Sequence, residues 1–220
     1  MPPVGRSPQN LYERTHFAGA PLWHIGAVSG TRREVPNDPG RRDRILDAAL
    51  DVVAGSGVFG TTHRKIAARA GVPLGSLTYY FDGMDDLLAQ AFARLADTMS
   101  RFYRRSVRDA ASTAEAEAAV VELICGPDYA NDRDMTLIFE MYAYANHSPA
   151  VRDITRTWVA RSRDSLSLHF TPAVARALDA LVEGWPMHRR FDAAPLDRRL
   201  VAGVVHAVVG AAPRLPDAPP

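Results

Sequence analysis

The sequence predicts an all-α fold. From residue 41 onward, apolar residues recur at three- and four-residue spacing, and prolines and glycines punctuate these runs at helix-like intervals. No segment shows the two-residue alternation or the hairpin turns of strands. With 220 residues, 47% hydrophobic and 23% charged, the chain can bury a sizeable core and lies outside the disordered and membrane classes.

Residues 1–40 stand apart, holding six of the 16 prolines and five of the 15 glycines without a sustained period. They read as a flexible arm carrying Arg6, Arg14, Arg32 and Arg33. In the first helix Ile45, Ala48, Ala49, Val52 and Val53 share one face, and Gly55 and Gly57 end the run. Thr61 and Thr62 offer an N-cap for a helix over 63–70 that buries Ile66, Ala67 and Ala70. Gly71 closes that helix as a left-handed residue. Pro73 suits the first position of a third helix running to Tyr80. Asp82 is expected to cap a long fourth helix from about 83 to 108. Five more helices follow at about 113–125, 133–146, 150–169, 172–185 and 196–211, with Pro127, Pro149, Pro172, Pro186, Pro195 and Pro213 between or beyond them. The expected organisation is an arm (1–40), a three-helix domain (41–86) and a helical bundle (87–220), nine helices in all.

Composition removes several functions. The net charge is only +1, and of 26 basic residues Lys65 is the single lysine, which reads as coding bias rather than selection for guanidinium. Cys125 is the one cysteine, so neither an internal disulfide nor a cysteine metal site is available. It is expected to be a small buried residue at a helix end. The histidines are dispersed, no His-Glu-x-x-His occurs, and P-loop, dinucleotide and Gly-x-Ser-x-Gly motifs are missing. No enzyme, metal or cofactor is therefore expected. No apolar run reaches the 18 residues of a spanning helix, and the start lacks a signal-peptide pattern, so a cytoplasmic protein is expected, without membrane association.

Residues 41–81 hold the most informative arrangement. Ala67, Gly71, Val72 and Leu77 are small or apolar where two short helices joined by a tight turn must pack together. Pro73, Leu74, Ser76, Thr78 and Tyr79 are left outward. That is a helix-turn-helix, whose last helix enters the DNA major groove. The stretch carries six basic and three acidic residues, a net +3 against the chain's +1.

The run "TTHRKIAARAGVPLGSLTYYFDGMDDLL" resembles the amino-terminal domain of the tetracycline-repressor (TetR) family of bacterial transcription regulators. It carries Ile-Ala, Ala-Gly-Val and Gly-Ser-Leu-Thr-Tyr-Tyr-Phe before an acidic-apolar helix start. The resemblance covers about a fifth of the chain, residues 41 to 88, and departs twice. Thr78 stands where the family usually has tyrosine, and Met84, among Asp82, Asp85 and Asp86, stands where it often has lysine. The resemblance implies a homodimeric, ligand-responsive repressor of a near-palindromic operator in double-stranded DNA.

The expected DNA-contacting set is Arg41, Arg42, Thr62, His63, Arg64, Pro73, Leu74, Gly75, Ser76, Thr78, Tyr79 and Tyr80. Arg64 is the candidate for a bidentate guanine contact, with a phosphate contact as its alternative. Leu77 and Phe81 are core, and Tyr80 is half core. For an apolar or aromatic effector, Met99, Phe102, Tyr103, Phe139, Tyr142 and Trp158 are the candidate pocket; a stripe of this kind is more often plain core. Arg101, Arg104, Arg105, Glu140 and His169 are possible polar contacts. Leu178, Leu181, Trp185, Val201, Val204, Val205 and Val208 are the expected dimer face, two helices from each copy forming a four-helix bundle, with burial inside one chain as the alternative. The competing function is a helical small-molecule-binding protein or enzyme with a vestigial DNA module.

Overall fold

Why each helix begins and ends where it does is legible in the computed structural model, which describes residues 38–211. Of the arm expected over residues 1–40, residues 1–37 lie outside the described residues. Among the described residues there are nine helices and no strand.

The first helix, α1 (Arg41–Ser56), buries Ile45, Leu46, Ala49 and Val53 and runs through Gly55 to Gly57. In α2 (His63–Ala70) the Thr62 hydroxyl accepts the Lys65 N–H, and Gly71 ends the helix at φ +66°, where a side chain would be strained. The next helix, α3 (Gly75–Tyr80), starts two residues later than Pro73 predicts, because Pro73 and Leu74 form a tight turn that accepts the Ser76 and Leu77 N–H groups. Met84–Arg108 form α4, the longest helix. Asp82 does not cap it. Instead the Asp82 N–H donates to Asp86 Oδ2 at 3.0 Å, and Gly83 stands at the N-cap.

The remaining helices are α5 (Thr113–Cys125), α6 (Asp132–Ala145), α7 (Pro149–Leu166), α8 (Pro172–Phe191) and α9 (Arg198–Gly210). Ser112, Asn131, Ser148, Thr171 and Asp197 each cap one with a side-chain oxygen. Cys125 ends α5 half-buried, and burial pushes its thiol pKa up.

Pro186 does not end α8; it lies buried inside it. An interior proline costs a helix about 3 kcal/mol, and the following turn is held by tertiary bonds. Arg189 donates to the carbonyls of Ile124, Gly126 and Ala130, Arg190 donates to Asp132 O and Thr136 Oγ1, and the Phe191 ring lies 5.9 Å from Phe139.

The expected boundary at residue 86 falls inside α4, which packs on α1, α5 and α7, so a single rigid element serves both the three-helix region and the bundle. One hydrophobic core runs from Ile45 to Val205. Among the described residues, no helix is long and apolar enough to cross a membrane, and no three His, Cys, Asp or Glu side chains gather as for a metal ion.

Candidate functional site

Leu77 is the pivot of the outer face. It is buried against the domain, and with 100° per residue its burial turns Gly75, Thr78 and Tyr79 outward. Tyr79 is 81% exposed and Leu74 51%, values that no core role explains. Tyr80 is half-buried, its ring edge-on to Tyr79 at 4.9 Å, and Phe81 is buried. Thr78 Oγ1 donates to Gly75 O at 3.1 Å, which leaves its lone pairs and methyl facing out. Ser76 is half-buried, and Pro73 is exposed. Next to this arc, Thr62 is engaged as a cap while His63 is half-buried.

The basic residues divide sharply. Arg41 and Arg44 pair with Asp38, and Arg42 donates to Gln90 with its guanidinium 5.8 Å over the Phe81 ring. Arg41 and Arg42 are thus committed to their own domain, and a phosphate contact would have to displace those bonds. Lys65 Nζ donates to Gly60 O at 2.7 Å. Arg69 pairs with Asp51 at 2.6 Å, and Arg133 of α6 pairs with the same carboxylate at 2.8 Å. Burial would raise the Asp51 pKa, but bonds from Arg133 and Arg69 outweigh it and hold it below the usual range. Arg64 is different. It is exposed and makes no hydrogen bond or ion pair with another described residue.

Two of the acids around Met84, Asp85 and Asp86, are spent on the fold. Asp85 accepts from Tyr144 Oη at 2.5 Å, and Asp86 accepts from Asp82 N–H and from Gln90. The Asp86 bonds, Gln90 first, lower its pKa, whereas the Tyr144 phenol is pushed up to about 12, mainly by burial and then by Asp85.

A small cavity lies inside the bundle. Tyr142, Trp158, Met135, Ile138, Val182 and Glu183 enclose a cavity of about 30 Å³, with Tyr129, Ala130 and Met187 closing it. Tyr129 also walls an outer cleft of about 380 Å³ lined by Met99, Phe102, Asp128 and Asp134. Of the six expected pocket residues, Tyr142 and Trp158 line the cavity and Met99 and Phe102 the cleft. Tyr103 is buried edge-on to Tyr129 at 5.7 Å. Phe139 lines neither: one position along α6 from Ile138, it turns 100° away toward Phe191.

None of the polar contacts expected for an effector lines the enclosed cavity. Arg101 pairs with Asp97, while Arg104 and Arg105 are exposed. His169 Nε2 donates to Val107 O at 2.7 Å, and Glu140 Oε2 accepts the Val58 N–H at 2.7 Å in the turn before α2. The acids that do matter are Asp179 and Glu183, overlooked in the sequence. Asp179 Oδ2 accepts from Arg163 Nε at 3.0 Å and Glu183 Oε2 from Tyr142 Oη at 2.9 Å. Burial raises both carboxyl pKa values, and for Glu183 the neighbouring Asp179 adds to the rise. The available signal was position: 175, 178, 179, 182, 183 and 186 form one helical stripe, so an acid pair sits where α8 should be apolar.

The expected dimer face also needs correction. Leu178, Val201 and Val205 are each 0% exposed, buried within one chain against its own core, and cannot meet a partner. Leu181, Trp185, Val204 and Val208 remain half-buried, and Leu200 beside them is 57% exposed.

Comparison with known proteins follows this geometry. The family model for bacterial regulatory proteins, tetR family, matches residues 45–91. SCO7518 of Streptomyces coelicolor A3(2), a candidate transcriptional regulator, is 42% identical, with a TM-score of 0.73 over 78% of this chain and 99% of its own. SCO1917, a TetR-family member from Streptomyces coelicolor A3, is 31% identical, with a TM-score of 0.65 over 78% of this chain and 99% of its own. The multidrug binding protein EbrR, solved with imidazole, is 30% identical, with a TM-score of 0.64 over 80% of this chain and 98% of its own. With the helix-turn-helix and the helical bundle in the same order, the chain belongs to the TetR family of bacterial transcriptional regulators.

Proposed function

We propose that this regulator is a homodimeric repressor, released from a near-palindromic operator by an apolar or aromatic small molecule bound inside the bundle. The observation that carries the DNA side is the outward arc of α2 and α3, where Arg64 of α2 projects without a partner among the described residues and Thr78 and Tyr79 of α3 are exposed. A guanidinium suits the paired acceptors of guanine, while a threonine methyl and a tyrosine ring suit thymine methyls. Thr62, His63, Ser76 and the backbone from Pro73 to Gly75 suit phosphates.

Two such heads, about 34–36 Å apart, would fit successive major grooves. The dimer contact is proposed on the outward side of α8 and α9, through Leu181, Trp185, Leu200, Val204 and Val208. Added Cβ atoms at Gly184 and Gly203 would meet open space, so a partner helix has room to approach. Ligand in the bundle would bias α4 and α6, both of which reach the three-helix region, and a 100-fold loss of DNA affinity requires about 2.7 kcal/mol of coupling. The role is that of a regulator and not of an enzyme.

The test is fluorescence anisotropy with the chain's own upstream DNA and a scrambled control across a salt series. Preferential binding with a palindromic footprint is expected. Equal, steeply salt-dependent binding to both DNAs would reduce the interaction to phosphate attraction.

A further inference from the structure

Two hollows of about 290 and 400 Å³ share Asp97 and Arg161 and so form one groove between α4 and α7. Its α4 wall runs from Ala93 to Arg104, about 16 Å at 1.5 Å per residue. The two ends differ. Ala93, Ala96 and Ile154 line one end with Trp158. Ser100, Arg101 and Arg104 line the other with Arg161 and Ser165 of α7.

The polar end has donors to spare. Buried and half-buried helical hydroxyls in this chain bond back to the carbonyl one turn earlier: Ser106 to Phe102, Ser162 to Trp158, and Ser165, in the groove itself, to Arg161. Ser100 departs from this habit. It is 8% exposed, and its buried Oγ has no hydrogen-bond partner. Asp97 accepts from both Arg101 and Arg161, so two guanidiniums share one carboxylate. Arg104 and Asp164 are exposed, and neither pairs with another described residue. Three arginines against the two carboxylates Asp97 and Asp164 leave one positive charge in excess. Asp153, at the apolar end, is matched by Arg156 at 3.1 Å.

We propose that this groove binds an amphipathic carboxylate, its head taken by Arg104, Arg161 and the Ser100 hydroxyl and its apolar body laid along Ala93, Ala96 and Ile154. A guanidinium fork matches the two oxygens of a carboxylate, and Ser100 supplies a further donor. One excess positive charge suits a head with one negative charge. A phosphate monoester would bring nearly two, and a cation would add to the excess. The groove is separate from the bundle cavity, although Trp158 walls both, and its occupancy does not depend on an effector there. A head bridging Arg104 and Arg161 ties α7 to α4, the helix that also packs on α1.

The full chain, without DNA, is titrated by calorimetry with phenylbutyrate, with phenylbutanol (the same body, uncharged) and with inorganic phosphate. Wild type should bind phenylbutyrate at least tenfold more tightly than either control. Arg104→Gln should weaken phenylbutyrate at least fivefold and Ser100→Ala at least threefold, with circular dichroism confirming each fold. Arg105→Gln, one position along α4 and turned about 100° away, should stay within twofold of wild type. Equal binding of acid and alcohol, no binding of the acid, equal binding of phosphate, full affinity in Ser100→Ala, or the same affinity in Arg104→Gln and Arg105→Gln would overturn the assignment. Glu183→Gln locates the ligand: unchanged affinity is expected, and a tenfold gain would place the carboxylate in the bundle cavity instead and overturn the groove.

Discussion

Glu183 is held in the folded chain at a cost that depends on pH. Burial, then repulsion from Asp179, raise its pKa above the 4.5 of a free glutamate, against the Tyr142 hydrogen bond and Arg163, which lower it. Tyr129 and Tyr103 also face this region from the 126–131 loop and α4. Below the unfolded pKa both states are protonated and the penalty is nil; as pH rises above it, only the unfolded chain ionises freely and stability falls. Glu183→Gln should therefore raise the melting temperature at pH 7, and the gain should fade as pH approaches 4.5. A gain equal at both pH values would count against an ionisation cost. Arg64 is tested by substitution: Arg64→Ala should lose about 1–3 kcal/mol of discrimination at one base pair if it reads guanine, and the same loss on every sequence if it grips phosphate. The outward arc was legible in the sequence because Leu77 and Phe81 are four apart and fix which residues turn out. Asp179 and Glu183 were missed because the eye follows the leucines and valines of α8, whereas the buried stripe includes the acids.

Two elements, α4 and α6, join the three-helix region to the bundle, and α6 does so through two polar bonds while a third ties it to α8. Arg133 reaches Asp51 of α1, Glu140 accepts the Val58 N–H, and Tyr142 donates to Glu183. Residues at 133, 140 and 142 thus connect the cavity wall with the turn that leads into α2. Glu140→Gln keeps the shape but weakens a charge-assisted bond. DNA-free ligand affinity should remain within twofold, while ligand-driven loss of DNA affinity should fall at least fivefold; an unchanged loss would direct attention to α4 alone. Gly57 supports the same joint. It holds φ +67° and ψ 170°, and an added Cβ would stand 3.0 Å from Glu140 Oε1. Gly57→Ala should destabilise the chain by about 1–3 kcal/mol, read from denaturant midpoints. The helices themselves were predictable from periodicity and proline punctuation, with Thr62 announcing the start of α2; the caps at Ser112, Ser148 and Thr171 emerge only from the structure. Pro186 misled because a local breaker was outweighed by distant partners, Arg189 and Arg190 gripping α5, α6 and the loop between them, which no local pattern reveals.

At the scale of the whole molecule, a twofold assembly must be built from what one chain leaves uncovered. The sequence offers Val201, Val204, Val205 and Val208 of α9 together as part of a dimer face, with burial inside one chain as the alternative. The described chain divides them: Val201 and Val205 are buried in its own core, Val208 packs partly against that core, and Leu200 and Val204 lie on the more open flank. Leu200, 57% exposed on that side, is the residue whose burial a partner would most improve. A charge there would be trapped between two apolar helices in the dimer but fully solvated in the single chain, so Leu200→Glu should act on association and leave the fold intact. Analytical ultracentrifugation should give the one-chain mass with an unchanged helical spectrum. Operator affinity should then fall at least 100-fold, because two linked heads bind at an effective concentration in the millimolar range and two separate ones do not. If Leu200→Glu remains dimeric, the contact does not run along this face of α9, and the spacing of the reading heads must be set by another surface of the bundle. If it is monomeric yet binds DNA as wild type does, the operator is read by single copies and the palindrome is dispensable.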